Sequence, residues 1–69
     1  MVYVDYSKLW KKLIDLKYNK TKLRNEAKIG SSTIARMMKG ESVGLEVLAR
    51  ICFVLNCNIE DIMEFKYEK

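Results

Sequence analysis

Apolar positions along this chain follow two different periods. At the ends they alternate: Val2 and Val4 oppose Tyr3 and Asp5, and Phe65 and Tyr67 oppose Lys66 and Glu68. A period of two predicts short strands. Because a lone strand leaves its backbone groups unpaired, the two ends are expected to join as a two-stranded antiparallel ribbon.

Between them the period is helical. Leu9, Trp10, Leu13, Ile14 and Leu16 recur near the 3.6 spacing, with Lys8, Lys11, Lys12 and Asp15 on the other side. This predicts a first helix, capped by Asp5 or Ser7 and running to about Lys17. Asn19 is placed to cap a second helix, Lys20 to about Ala27, with Leu23 and Ala27 inward. Ile29 is the lone apolar residue of the corner that follows and is expected to plug it. Gly30 or Ser31 starts a third helix to about Lys39, with Ile34 and one or both of Met37 and Met38 facing in, and Gly40 stands where a left-handed cap belongs. After a loop over residues 41–44, Leu45, Leu48, Ile51, Cys52 and Leu55 make the stripe of a fourth helix. Asn58 and Asp61 have capping-box spacing for a short fifth helix that carries Ile59, Ile62 and Met63. The expected fold class is all-α, five short helices with the terminal ribbon.

With 69 residues, every element must serve one small core, so residues 1–69 are expected to form a single domain. The longest apolar run, "ICFVL", is too short to span a bilayer, and the opening residues lack the pattern of a signal peptide. A cytoplasmic location is expected, with no membrane partner. Cys52 and Cys57 lie five apart on one predicted helix, and the chain has no histidine. They are read as reduced thiols, and neither a metal site nor another cofactor is expected. No nucleophile stands beside a recognisable base and no glycine-rich loop could cradle phosphate, so the chain is not expected to be an enzyme or to bind a small-molecule ligand.

Charge is distributed unevenly. From Lys8 to Lys39 there are ten basic residues against two acidic ones, whereas from Gly40 onward three basic residues face six acidic ones. One basic side on a domain of net charge +4 favours a polyanion such as double-stranded DNA. Phe53 falls about 150° from the inward stripe of the fourth helix, where a 3.6-residue repeat leaves it exposed, and is a candidate for self-association.

The segment "EAKIGSSTIARMMKG" joins two helices through the short corner "KIGS". Taken with "KLWKKLIDLKYNKTKLRN" before it and "ESVGLEVLARICFVLNCNIEDIMEF" after it, the chain from Lys8 to Phe65 resembles the Xre family, the lambda-repressor-like, Cro-type helix-turn-helix domains of phage and bacterial regulators. It is most similar to small stand-alone members. The resemblance implies a helix-turn-helix at about residues 20–39, a third helix entering the major groove and a second lying on the backbone. Carried over by position, Ser31, Ser32, Thr33 and Arg36 are the candidate base readers, and Asn19, Lys20, Thr21, Lys39 and Ser42 the candidate phosphate contacts. Arg36 is expected to carry most of the readout, since arginine can hold guanine O6 and N7 with two parallel bonds. Departures from the family pattern are Lys28, where glycine is usual, Gly30 in place of a serine cap, which leaves Ser31 to serve as the cap, and Lys22 where glutamate is frequent. The function implied is a sequence-specific transcriptional regulator, with repression the expected sign and a homodimer the expected binding form. The competing reading is a protein-interaction module, antitoxin-like or an anti-regulator, that keeps the fold and captures a protein through the third helix or the Phe53 face.

Overall fold

The computed structural model describes residues 2–68 of the chain. In order, the elements are β1 (Val2–Asp5), α1 (Ser7–Asp15), α2 (Lys20–Ala27), α3 (Ser31–Met38), α4 (Leu45–Leu55), a single 3-10 turn (Ile59–Asp61) and β2 (Glu64–Tyr67). The terminal strands pair antiparallel within the chain, with Val2 opposite Tyr67, Tyr3 opposite Lys66, Val4 opposite Phe65 and Asp5 opposite Glu64. The facing carboxylates of Asp5 and Glu64 are bridged by Lys66, whose Nζ lies 3.9 Å from one and 3.5 Å from the other.

The fold corrects the expected five helices to four, plus that one turn. Asn58 and Asp61 do form the anticipated box, the Asn58 amide donating to Asp61 Oδ2 at 3.0 Å. The turn stops there because Ile62 and Met63 must drop into the core immediately, and the chain then enters β2. Too few residues remain for an α-helical ladder.

The core is made by Tyr6, Leu9, Leu13, Leu23, Ala27, Ile29, Ile34, Met37, Leu48, Ile51, Leu55, Ile62 and Met63. Asn19 caps α2 as expected, its side chain accepting from the Lys22 amide at 2.7 Å, and Ile29 is buried in the corner. Asp5 lies one residue before the first cap position and accepts from the Ser7 amide at 2.8 Å. Three inward assignments fail. Ile14, Leu16 and Leu45 are exposed, Ile14 and Leu45 to about three quarters. Ile14 sits at the margin of the stripe and Leu16 past the end of α1, where the backbone has left the helical wheel. Leu45 opens α4 in a turn that lies beyond the core. Of the two methionines of α3, Met37 is buried and Met38 exposed.

All four helices end on a left-handed residue: Lys17, Lys28, Gly40 and Asn56, with φ of 59°, 57°, 77° and 54°. In each case the next amide returns to the carbonyl five residues back, Tyr18 to Leu13, Ile29 to Arg24, Glu41 to Arg36 and Cys57 to Cys52. These are Schellman closures, and they turn the chain sharply enough for such short helices to share one core. Both cysteines are free and half-buried. Burial pushes the Cys52 thiol above its ordinary pKa. No helix among the described residues is long and apolar enough to cross a membrane.

Candidate nucleic-acid interface

The corner between α2 and α3 is built from two devices. Lys28 takes the left-handed conformation that ends α2, and Ile29 is driven into the core behind it. Gly30, extended at φ −78° and ψ 159°, is the cap position of α3, and no side chain caps this helix. Ser31 therefore does not serve as the cap and opens the helix as an exposed residue. Ile34 and Met37 anchor the inner face of α3, so the opposite face stands clear of the bundle. That face carries Ser31, Ser32, Ala35, Arg36 and Lys39, all exposed, with Thr33 half-buried at its flank.

The structure thus brings together Ser31, Ser32 and Arg36 on one exposed ridge and turns Thr33 partly aside. Ala35 belongs to the same ridge and was not among the sequence candidates. Its position four residues after Ser31 was the available signal, but an alanine carries no charge or hydrogen-bonding group to attract notice.

The backbone-gripping candidates gather at the start of α2. Asn19, Lys20 and Thr21 are exposed. A shallow depression of about 380 Å³, lined by Lys20, Thr21, Arg24, Ser31 and Ile34, runs between the N-terminal ends of α2 and α3. Arg24 is a further cation there that the sequence reading passed over. Lys20 rests over the Trp10 ring at 5.0 Å and Lys22 over the Tyr18 ring at 4.4 Å, so aromatic faces orient two of the lysines that fringe this edge. The Tyr18 hydroxyl donates to Glu26 at 3.0 Å, which holds the ring and raises its pKa above the ordinary value.

Lys39 and Ser42 lie past the far end of α3, both exposed. The loop that holds them is tied to the core. Tyr6, 3% exposed, donates its hydroxyl to the Glu41 carbonyl at 3.1 Å. Desolvation raises the pKa of this phenol, opposed by a backbone hydrogen bond at Val43 and by the charge of Arg36. The loop in turn holds Arg36, whose Nε donates to Glu41 Oε1 at 3.4 Å and whose Nη2 donates to the Ser42 carbonyl at 3.0 Å.

Phe53 is 87% exposed, as its wheel position implied. It borders a depression lined also by Lys28, Glu46, Ala49, Arg50 and Val54. A second apolar surface was not foreseen: Leu45, Ile59 and Phe65 stand exposed around a depression of about 180 Å³ lined also by Tyr6, Leu48 and Met63. Among the described residues no cluster of three or more histidine, cysteine or carboxylate side chains could hold a metal ion.

Residues 8–68 match the family of Cro/C1-type helix-turn-helix DNA-binding domains. Among solved structures the chain is similar to the transcriptional regulator VanUg. The two are 45% identical, the match covers 97% of this chain and 89% of that one, and the TM-score is 0.93. No curated protein gives a significant match.

Proposed function

The chain belongs to the Cro/C1-type helix-turn-helix DNA-binding domains, and from that membership we propose that it is a sequence-specific transcriptional regulator that places α3 in the major groove and acts as a homodimeric repressor. The observation that carries this is the exposed ridge of Ser31, Ser32, Ala35 and Arg36, fixed from behind by Ile34 and Met37. Arg36 reads a guanine, Ser31 and Ser32 bond to base edges, and the Ala35 methyl packs on a thymine methyl. Thr33 contacts a sugar or phosphate at the flank of the ridge. Asn19, Lys20 and Thr21 grip phosphates on one side, where the free amides of the start of α2 favour an anion, and Lys39 and Ser42 grip them on the other. This work is that of a bacterial or phage cytoplasmic protein, and it needs no cofactor, metal or small-molecule ligand.

A second copy follows from dimensions. An eight-residue helix is about 12 Å long, enough for about four base pairs. So short a site recurs too often in a genome to address one promoter, whereas a two-fold pair of sites about one helical turn apart does not. Leu45, Ile59 and Phe65 form an exposed apolar surface beside the loop that leaves α3, and the proposed two-fold contact uses it. Phe53 is the alternative self-association point.

Selection from a randomised duplex library, followed by titration of the winner, tests the reading. A two-fold-symmetric consensus is expected. Arg36→Ala should weaken binding by about 1–3 kcal/mol and relax one position in each half-site. Binding that is indifferent to sequence in the intact protein would overturn the regulator reading in favour of capture of a protein partner through the exposed Phe53 face.

A further inference from the structure

The contact between Arg36 and Glu41 is set by backbone geometry. Helix α3 closes in a Schellman motif: the Gly40 amide donates to Met37 O at 3.0 Å and the Glu41 amide to Arg36 O at 3.0 Å, with Gly40 at φ 77°. In this motif the residue after the left-handed position lies against the residue five before it, and the side chains that meet are commonly apolar. Here they are an arginine and a glutamate. Tyr6, buried in the core, holds the Glu41 carbonyl and so fixes the loop from behind.

The guanidinium has two forked edges. Glu41 and the Ser42 carbonyl take one N–H each from the edge formed by Nε and Nη2. The other edge, formed by Nη1 and the second hydrogen of Nη2, has the same two-pronged shape and is what bonds guanine O6 and N7 in an end-on approach. A free arginine side chain would have to surrender several rotamers and choose between edges on meeting DNA; one already held by its side edge has less to lose.

We propose that Glu41 is a specificity-determining residue of this interface: with the Ser42 carbonyl it positions Arg36 so that only the end edge of the guanidinium faces the base. This rests on the regulator reading given above. Glu41 itself touches no base. Its carboxylate also lies near the path of the phosphates, where a negative charge disfavours DNA of any sequence. Only the first effect changes the ratio between sites; the second weakens all sites alike and leaves that ratio unchanged.

The pair is exposed, at 56% for the arginine and 51% for the glutamate, so it adds little to folding stability. Glu41→Ala keeps the backbone closure and should melt within a few degrees of the parent. Tests use the duplex selected by the intact protein and a copy changed only at the guanine that Arg36→Ala identifies. Glu41→Ala should lower the affinity ratio of the two duplexes by roughly five- to ten-fold, a fraction of what one bidentate contact provides. Glu41→Gln retains an acceptor oxygen and should keep most of that ratio, while binding both duplexes more tightly. In the Arg36→Ala background, Glu41→Ala should no longer alter the ratio. An unchanged ratio in Glu41→Ala, an equal loss in Glu41→Gln, or an undiminished effect without Arg36 would each overturn the positioning role while leaving the regulator reading intact. If the intact protein selects no sequence, the regulator reading falls and takes this proposal with it.

Discussion

At the scale of single residues, the helix ends show what the chain tolerates. A left-handed backbone suits glycine, yet lysine holds that conformation at positions 17 and 28, and asparagine at 56. The Cβ of lysine crowds the following carbonyl there, at a cost of about 1 kcal/mol relative to glycine. Lys28→Gly should therefore raise stability by somewhat less than 1 kcal/mol, since glycine also gives the unfolded chain more freedom. For a domain of this size that corresponds to a rise of a few degrees in the thermal midpoint, measurable by circular dichroism. A fall would mean that the lysine side chain contributes contacts larger than its backbone strain. The need for this conformation at 28 was legible only through the family resemblance, because lysine carries no signal for it. Glu41 was missed for a related reason. Its partner is five residues away, a separation that no helical wheel pairs, and only the left-handed turn at Gly40 brings the two together. Arg36, Ser31 and Ser32 were candidates through the family resemblance, and the burial of Ile34 and Met37 on the other side of α3 accounts for their exposure.

At the scale of elements, α2 and its cap, the corner and α3 could be placed from the sequence almost to the residue, because each boundary is marked by a polar cap, a buried plug or a glycine. The ribbon was legible from alternation alone. Less legible were the exposed Leu45 and Ile14, since periodicity says which side of a helix is apolar but not whether anything lies against it. The loop between α3 and α4 was likewise only a loop in sequence. In the fold it is an element in its own right, fixed by the phenol of Tyr6. Tyr6→Phe removes that hydrogen bond and should cost about 1 kcal/mol. It should also change the response to alkali. The folded pKa of Tyr6 is raised above 10.0, so the folded state holds this proton more tightly than the unfolded one. The stability this contributes is complete below pH 10 and is lost as pH rises through the folded value. Denaturant titrations of the two proteins should accordingly diverge by the full amount near neutrality and converge above about pH 10. Parallel curves through that range would mean that ionisation of the Tyr6 phenol is not linked to folding.

For the whole molecule, the uneven charge counts for less than its size suggests. Ten cations precede Gly40, but geometry distributes them around the fold. Lys8 reaches the Glu60 carbonyl at 3.2 Å, far along the chain from the corner. The proposed backbone contacts include two lysines, Lys20 and Lys39, in each protomer. If a dimer binds, four phosphates are neutralised and the logarithm of affinity should fall with the logarithm of salt at a slope of about −4. A non-directional basic surface would engage most of the ten cations and give a much steeper line. The same measurement reports on assembly. Leu45 is the most exposed of the three residues on the apolar surface proposed for the dyad, so Leu45→Ser should leave the fold intact, separate the protomers in sedimentation and bring the slope to about −2 on a single half-site. Phe53→Ser should leave both the assembly and the slope unchanged. If instead Phe53→Ser separates the protomers and Leu45→Ser does not, the dyad lies against α4 beside the corner lysine, and the half-site spacing found by selection must be explained from that face.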